Sequence, residues 1–546
     1  MSLTRCTTVA VKETLTMRNC GKSWVESRFL SSPPTASTGT TNSSILNCAP
    51  REILERWLVS FRRFCLWTLV FSLPLSLTNS LARGEEPKVL RAGASASNIT
   101  PFLDMPIVGG WTAPPATHIH DELWARSLVL DNGKTRLAII IIDNIGPSRA
   151  LCDEAKKRIH EKTGIPPENI LIAGTHTHSS VSARGASRLQ HEASFTDYQE
   201  FVIRRIVDGV RRAMNQLEPA RIGWGSTEEP TQVFNRRYFM KPGTPTPNPF
   251  GGTDQVVMNP GQGNPNILKA AGPTDPQICF ISVQSQSGRP IALLANYGLH
   301  YVGPGAGAVI SADYFGVFAD RIQELLGADR LDPPFVGILS NGASGDINNI
   351  NWMQKEERRW APYERMRFVA DVVAKRVHEA LQNVTYRDWV ELAAASTDLT
   401  LQVRKPTPEL IEYAKAILAK PPDAPKYHVH ERTYAERVLN LLDDPDQVDV
   451  PLQVLRLGEV GICALPFEVF AEIGLELKQK SPLPLTFVIS HANGHYGYLP
   501  TPEQHALGGY ETWLGTNFLE IEASVKIVSR LLEMLQQLSQ TRSRQN

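Results

Sequence analysis

The stretch NILIAGTHTHSS, residues Asn169–Ser180, joins a short apolar run to two histidines that are separated by a single threonine. Its first half, Asn169–Gly174, has the length and composition of a buried strand. In an extended segment, side chains two residues apart point to the same side, so His176 and His178 can face one site. The stretch therefore predicts a strand whose carboxyl end presents two imidazoles.

Strand and helix patterns alternate along the chain on both sides of this stretch. Arg136–Gly146 is an almost unbroken β-branched run, which is typical of a strand buried on both faces. Thr196–Leu217 carries apolar residues at helical spacing. Such interleaving predicts an α/β fold in which mixed β-sheets are flanked by helices.

Two long stretches interrupt the alternation. Lys241–Pro276 is rich in Pro, Gly and Asn, and it is predicted to be a functional or mobile loop outside the core. Arg404–Gln447 is charged and has helical spacing, and it is predicted to be an excursion from the main sheet.

Composition gives no indication of a nucleic-acid partner, and none is expected. Lys plus Arg and Asp plus Glu both number 56 among the 546 residues, so the formal net charge is zero and no basic surface is expected. Three of the seven cysteines lie beyond residue 83, far apart and in or beside apolar runs. They are predicted to be buried free thiols, not disulfide partners: Cys152, Cys279 and Cys463.

The amino-terminal part differs in character from the rest. Residues 1–58 are largely polar, and we interpret them as disordered or as translated from too early a start. Residues 59–82 contain an arginine pair, the apolar run Phe64–Leu77 and small residues suited to signal-peptidase cleavage. They predict a signal peptide or, alternatively, an N-terminal anchor. The remaining residues, 83–546, are predicted to form one exported catalytic domain.

Polar residues follow several of the predicted strands, where α/β folds usually bind ligands. His300 follows one strand and Glu468 follows another, as His176 and His178 follow theirs. Two His nitrogens and one carboxylate are a common zinc set that leaves a position for water. These residues predict an exported zinc hydrolase, whereas the simpler interpretation is that each His only hydrogen-bonds to backbone.

Six motifs occur in one order: GTHTHSS, FNRRY, NYGLHYVGPGAGAVISADYFG, GDINNIN, LPFEVF, and NGHYGY followed by GGYE. Together they resemble the neutral/alkaline ceramidase family, zinc-dependent amidases that cleave N-acylsphingosine. The resemblance extends from about Arg91 to the end of the chain. It implies the catalytic N-terminal domain of that family, and the family's C-terminal β-sandwich domain is expected to be absent.

The resemblance assigns roles residue by residue. It implies four Zn²⁺ ligands: His176, His300, Glu468 and Tyr498. His178 resembles the residue that faces the substrate and passes a proton, Arg236 matches an active-site arginine, and Tyr510 matches a tyrosine that stabilises the oxyanion. A zinc-bound imidazole needs an acceptor on its other nitrogen, for which the sequence offers three aspartates beside strand ends, with a capping or surface role as the alternative for each: Asp143, Asp313 and Asp346.

One position departs from the family pattern. Asn348 stands where the GDINNIN motif of the family has a serine, so we interpret it as a substrate-binding amide and as a sign of a changed substrate. The predicted function is hydrolysis of an amide, either an N-acyl lipid such as ceramide or a related N-acyl compound, by zinc-activated water. Exposed aromatic residues near the site would allow peripheral membrane contact. The alternative is a metal-containing binding module without turnover.

Overall fold

The β-branched run that predicted a buried strand forms Arg136–Ile142, an inner strand of an eight-stranded sheet. Every residue after Arg136 in this strand is buried, because apolar layers cover both faces of the sheet. The computed structural model describes residues 88–185, 187–190, 194–303, 308–356 and 358–540. The predicted segments 1–58 and 59–82 lie outside these residues.

The large sheet is mixed, with parallel pairs at both of its edges and antiparallel pairs between them. Its strands are, in spatial order, Val336–Asn341, Pro290–Tyr297, Gln277–Ser285, Glu218–Glu228, Leu90–Asn98, Trp124–Asp131, Arg136–Ile142 and Ile170–Gly174. The apolar run before the two histidines of the THTH motif therefore forms one edge strand, Ile170–Gly174. The strand that precedes the GDINNIN motif is the other.

A second sheet of four strands packs against the first. Its strands are, in spatial order, Leu392–Gln402, Gln447–Leu457, Val460–Ala464 and Leu485–Ile489. Leu90, Ile139 and Ile281 of the large sheet share one hydrophobic cluster with Leu455 and Ile462 of the small sheet. The two apolar faces thus form a sandwich, whose burial removes a large area from water and stabilises the fold.

Helices cover the outer faces of this sandwich. The helices in the described part of the chain are Arg149–Thr163, Asp197–Asn215, Asp313–Leu325, Glu364–Leu381, Pro408–Ala419, Glu431–Asn440, Ala471–Lys480, Pro502–Leu507 and Ala523–Gln540. Thr196 caps the second of them through a reciprocal capping box with Gln199, which satisfies two backbone donors at the helix start. The predicted α/β architecture is confirmed, with mixed sheets and flanking helices.

The prediction that Lys241–Pro276 is entirely a loop is partly wrong, because two short strands lie within this segment. Val256–Met258 and Ile267–Ala270 both pair antiparallel with Arg237–Met240. Strands of three or four residues between Pro and Gly turns are too short to show a periodic pattern, so the sequence hides them. The helical excursion Arg404–Gln447 is confirmed by the fifth and sixth helices.

Four pairs of two-residue strands complete the fold. They are Ile107–Val108 with Ser180–Val181, His118–Ile119 with Val309–Ile310, Phe234–Asn235 with Ile347–Asn348, and Glu468–Val469 with Tyr498–Leu499. The three cysteines beyond residue 83 are buried and free, as predicted. Among the helices that the structure describes, none is both long and apolar enough to span a membrane.

Candidate active site

The two edges of the large sheet come together at their carboxyl ends. The side-chain Nδ2 of Asn341, on one edge, donates a 3.0 Å hydrogen bond to the carbonyl of Thr175, beyond the other. The segment after the last strand of the small sheet joins both, since Ser490 N bonds Asn341 O at 3.0 Å and Gly174 N bonds His491 O at 3.1 Å. Residues that follow opposite edge strands therefore meet.

Three imidazoles converge at this junction. The Nε2 atom of His176 lies 3.0 Å from Nε2 of His178 and 3.1 Å from Nε2 of His300. We call these three residues the histidine triad, and their ligand atoms all lie within 4.8 Å of one another. His176 and His300 are buried. The triad could hold one metal ion.

The hydrogen bonds of two rings fix which nitrogen carries the proton. Nδ1 of His176 lies 2.7 Å from the carbonyl of Ile145, and Nδ1 of His300 lies 3.0 Å from the carbonyl of Ser344. A carbonyl only accepts, so each Nδ1 is the N–H donor and each Nε2 presents a lone pair. Two lone pairs 3.1 Å apart repel each other unless a cation lies between them. This donor set therefore fits a metal ion.

The aspartates predicted to orient these rings have other partners, so that prediction is wrong. Asp143 accepts from Arg126 at 2.5 Å, Asp346 accepts from Asn235 at 2.7 Å, and Asp313 accepts from backbone amides. The rings of His176 and His300 lie instead against turns that follow strands. The backbone carbonyls of these turns make no hydrogen bonds within the sheet, so they can accept the Nδ1 protons.

The two histidines of the THTH motif converge for a different reason from the one predicted. His176 has a left-handed backbone, with φ of 72°, so the segment is not extended there. Its ring and that of His178 are nonetheless neighbours, with centroids 4.7 Å apart at an interplanar angle of 78°. Gly174 permits this turn, because a Cβ there would lie 2.9 Å from the carbonyl oxygen of Asn144.

Glu468 adds a carboxylate to the histidine triad. Its Oε2 lies 3.6 Å from His176 Nε2 and 3.9 Å from His300 Nε2. This oxygen is buried and has no hydrogen-bond partner among the described residues, and burial raises the pKa of the carboxyl. Glu468 pairs directly with Tyr498 across two short parallel strands. An orphaned buried oxygen beside two lone pairs again fits a cation.

Arg236 links the predicted tyrosine ligand to a buried carboxylate. Its Nη2 donates to the hydroxyl of Tyr498 at 3.0 Å, and its Nε donates to Glu511 at 2.8 Å. The adjacent Arg237 also donates to Glu511, at 2.7 Å, but makes its other contacts away from Tyr498. The ring of Tyr510 lies 5.8 Å from that of Tyr498. The structure thus brings Arg236 and both tyrosines to one side of Glu468.

Burial keeps the triad in its neutral, metal-binding form. It lowers the pKa of His176 to about 3 and holds those of His178 and His300 well below the usual value. Burial also opposes the charge of Arg236, but the neighbouring Tyr498 and Glu511 raise its pKa above the ordinary value. Neutral imidazoles therefore face a permanent cation at this site.

Sequence reasoning missed two further histidines. The ring of His491 stacks on that of His176 at 4.0 Å, and His495 Nε2 lies 3.7 Å from Glu468 Oε1. Both belong to the segment SHANGHYGY, which follows the last strand of the small sheet, so their position after a strand was the available signal. Tyr301 was also missed, and its ring stacks on that of His178 at 3.9 Å.

Asn348 follows by two positions Asp346, whose carbonyl accepts a 2.8 Å hydrogen bond from the backbone amide of Arg236. Its strand, Ile347–Asn348, pairs with Phe234–Asn235, which immediately precedes Arg236. The amide Nδ2 of Asn348 donates to Asn259 at 3.0 Å, and the side chain is half-buried. The structure therefore shows this amide already hydrogen-bonded to Asn259, whose own backbone amide donates to the carbonyl of Arg236 at 2.9 Å.

The chain is similar to known proteins in part of its sequence and in its fold. Residues 91–358 match the family model described as neutral/alkaline non-lysosomal ceramidase, N-terminal. The structure is similar to neutral ceramidase from Pseudomonas aeruginosa, with a TM-score of 0.59 and 18% identity over 82% of this chain and 74% of that chain. It is also similar to a ceramidase complexed with C2, with a TM-score of 0.59 and 17% identity over 84% of this chain and 76% of that chain. At such identities the likeness shows the fold.

Proposed function

Because residues 91–358 belong to the neutral/alkaline ceramidase family, we propose that this ceramidase-like hydrolase is an exported, zinc-dependent amidohydrolase. Its substrate is an N-acyl lipid such as ceramide or a related N-acyl compound. The observation that carries the proposal is the pair of facing Nε2 lone pairs, 3.1 Å apart, on His176 and His300. Such a pair is stable only around a cation.

The chain offers donors for a zinc ion. His176, His300 and Glu468 would hold the ion, and Tyr498 would be a fourth ligand. A bound zinc ion lowers the pKa of water towards neutrality and polarises a substrate carbonyl. Imidazole and carboxylate ligands suit Zn²⁺, although other divalent metals accept the same donors.

His178 is assigned to proton transfer. Its Nε2 faces the centre, 3.0 Å from His176 Nε2, and the stacked ring of Tyr301 holds the imidazole in place. Burial keeps it neutral, so it can take a proton and deliver it to the amine nitrogen that leaves. Gly109 permits its position, because a Cβ there would lie 2.6 Å from His178 Cβ.

Arg236 and Tyr510 are assigned to the oxyanion that develops on the amide carbonyl. Arg236 and Arg237 share one carboxylate, that of Glu511. Two positive charges and one negative charge leave a net positive charge beside the site. A fixed cation and a phenol hydroxyl that are already in position stabilise developing negative charge without reorganisation. Asn348 is assigned to orienting the amide of the substrate.

Export is the remaining part of the proposal, and it is supported by the n-region and apolar run of residues 59–82. Fractionation of the producing cells, with the mature amino terminus determined by sequencing, tests it. A mature chain that begins near Arg83 outside the cytoplasm is the expected result. Full-length protein retained in the cytoplasm would contradict it.

The activity is tested by release of fatty acid from N-acyl amides by the full chain, before and after chelation and zinc restoration. Chelation and His176→Ala are both expected to abolish release. The matched control is His378→Ala, on helix Glu364–Leu381 outside the histidine cluster, which should keep full activity. Full activity after both chelation and His176→Ala would exclude the mechanism. Zinc bound tightly with no release from any amide would favour the binding module.

The role of His178 has a separate test, because its Nε2 is as close to His176 as that of His300 is. His178→Ala should lose turnover yet retain the metal. A variant that loses the metal as His300→Ala does would make His178 a ligand.

A further inference from the structure

The candidate site faces solvent on the side that carries His178 and Tyr510. Both residues are half-buried, so part of each remains accessible. The residues behind them are buried: His176, His300, Glu468, Tyr498 and Arg236. A substrate whose amide reaches the centre therefore approaches past His178 or Tyr510, and the residues that line this entrance contact the rest of the substrate.

A hairpin turn, residues 108–113, lies across this entrance. Its flanking residues are joined by backbone hydrogen bonds, which hold the turn in place. Gly109 packs against His178, because a Cβ at Gly109 would lie 2.6 Å from His178 Cβ. Two residues further on, the ring of Trp111 meets the ring of Tyr510, with centroids 5.9 Å apart at an interplanar angle of 67°. The turn therefore extends from one accessible residue of the site to the other.

Trp111 is fixed at the entrance by the helical excursion. Its ring stacks on that of His430, with centroids 3.6 Å apart at an interplanar angle of 10°. His430 immediately precedes helix Glu431–Asn440, and Arg437 of that helix places its guanidinium 5.7 Å from the centroid of the Trp111 ring. Trp111 nevertheless stays 51% exposed. A tryptophan that is held by stacking and still half exposed presents a fixed apolar surface to a ligand that enters.

The exposed surface of Trp111 suits an apolar ligand. The turn contains no charged residue, and Val429, next to His430, is exposed as well. The rings of Tyr498 and Tyr510 are 5.8 Å apart, so two ring-to-ring steps separate Trp111 from the predicted metal ligand Tyr498. A hydrocarbon chain attached to an amide at the centre can cover this distance. Its contact with the indole would remove apolar surface of both partners from water.

We propose that Trp111 determines specificity by binding a hydrocarbon chain of the substrate where the chain leaves the centre. His430 is a positioning residue, because it acts only by holding the indole. This inference rests on the proposed function and names the part of the substrate that the entrance selects. Both the acyl half and the amine half of an amide can carry such a chain, so the experiment varies each half separately.

The test compares amides that differ only in chain length, with the zinc-loaded full chain as the enzyme. N-Octanoylethanolamine and N-acetylethanolamine differ in the acyl half, and N-octylacetamide and N-ethylacetamide differ in the amine half. We expect a higher kcat/KM for the long amide in at least one pair, and that pair identifies the half that contacts Trp111. Trp111→Ala should reduce this preference at least about tenfold by raising KM for the long amide, because each buried methylene group is worth about fourfold in affinity. The short amides, which do not reach the indole, should lose little.

Two further variants and a control separate the indole from a general effect on the fold. Trp111→Phe keeps an aromatic ring and should retain most of the preference. His430→Ala leaves the indole without its stacking partner and should reduce the preference partly. Phe102→Ala is the matched control, because Phe102 is an aromatic residue of the same segment that is 87% exposed but lies outside the turn. It should keep the full preference.

Calorimetry supplies a second measurement that does not depend on turnover. Binding of N-octanoylethanolamine and N-octylacetamide is measured on the metal-free full chain, with and without Trp111→Ala. A negative heat-capacity change in the parent marks the burial of apolar surface. A loss of affinity of about tenfold in Trp111→Ala, together with a smaller heat-capacity change, supports the inference.

The outcomes separate the inference from the proposed function. Equal kcat/KM for long and short amides in the parent, or a preference that Trp111→Ala retains, would overturn the inference and leave the amidase in place. Equal losses for long and short amides in Trp111→Ala would make Trp111 a structural residue and overturn it as well. If neither these amides nor ceramide is hydrolysed, the amidase proposal fails. Calorimetry then decides whether Trp111 binds a chain, since unchanged affinity in Trp111→Ala contradicts it.

Discussion

The Nε2 atoms of His176 and His300 lie 3.1 Å apart, while the Nδ1 atom of each ring faces a backbone carbonyl. The two residues follow strands at opposite edges of an eight-stranded sheet, and 124 residues of chain separate them. The site therefore exists because the two edges of the sheet lie close together. A substitution that moves one edge should lower metal affinity as much as the removal of a ligand does.

Gly174→Ala tests this convergence directly. A Cβ at Gly174 would lie 2.9 Å from Asn144 O and 3.0 Å from Gly146 Cα, so the edge strand must shift. We expect the free energy of unfolding to fall by about 1–3 kcal/mol, as overpacking usually costs, and metal affinity to fall with it. Urea unfolding and zinc titration measure the two effects.

Gly133→Ala is the control for this substitution. Its Cβ would meet open space, so only the left-handed backbone, φ of 83°, costs about 1 kcal/mol. Zinc affinity should be unchanged in this variant. Unchanged zinc affinity in Gly174→Ala as well would argue against a site that depends on the meeting of the two edges.

Glu511→Gln should be among the most destabilising substitutions near the site. The carboxylate is fully buried and accepts from both Arg236 and Arg237, so its removal leaves two buried cations uncompensated. The expected loss in the free energy of unfolding is about 3–5 kcal/mol, measured by urea titration. Glu533→Gln breaks an exposed pair with Arg530 and should cost less than about 1 kcal/mol. Similar losses in both variants would be inconsistent with a buried three-residue ion cluster.

The sequence was informative wherever one segment alone determines the structure. The apolar run of Arg136–Ile142 and the helical spacing of Asp197–Asn215 each specify an element, because burial selects their periodicity. Glu468 and Tyr498 were also found as candidate site residues, although only the structure shows them paired across two short strands. The position after a predicted strand indicated Glu468, and the family resemblance added Tyr498.

Long-range contacts account for what the sequence could not predict. Nothing local indicates that the carbonyls of Ile145 and Ser344 accept the Nδ1 protons in place of aspartates. Nothing local indicates that the ring of His491 stacks on that of His176. Each of these contacts depends on which distant segments of the chain fold against one another. The segments involved are loops, and loop sequences show little periodicity from which their conformation can be predicted.

Acid stability should depend on the ion pair between the first two helices. Arg158 on Arg149–Thr163 donates two hydrogen bonds to Glu200 on Asp197–Asn215, and these bonds lower the pKa of Glu200 to about 2. The unfolded carboxyl binds a proton more readily, so its contribution to stability is present above about pH 4.5. The contribution is lost as the pH falls towards 2.

Glu200→Gln should therefore show a flatter decline of unfolding temperature between pH 5 and pH 3, the range in which the normal carboxyl titrates. Glu161→Gln, exposed on the same helix as Arg158, is the comparison and should follow the parent protein. An identical decline in Glu200→Gln and the parent would mean that this ion pair contributes nothing to acid stability.

Metal content tests the central claim most directly. The full chain and its His176→Ala, Glu468→Ala and His378→Ala variants are purified in the same way, and bound metals are determined by elemental analysis. The account predicts about one zinc per chain in the parent and in His378→Ala, as expected for a single catalytic site, and none in the other two variants. Absence of bound zinc in the parent, or zinc retained in both His176→Ala and Glu468→Ala, would contradict the assigned site.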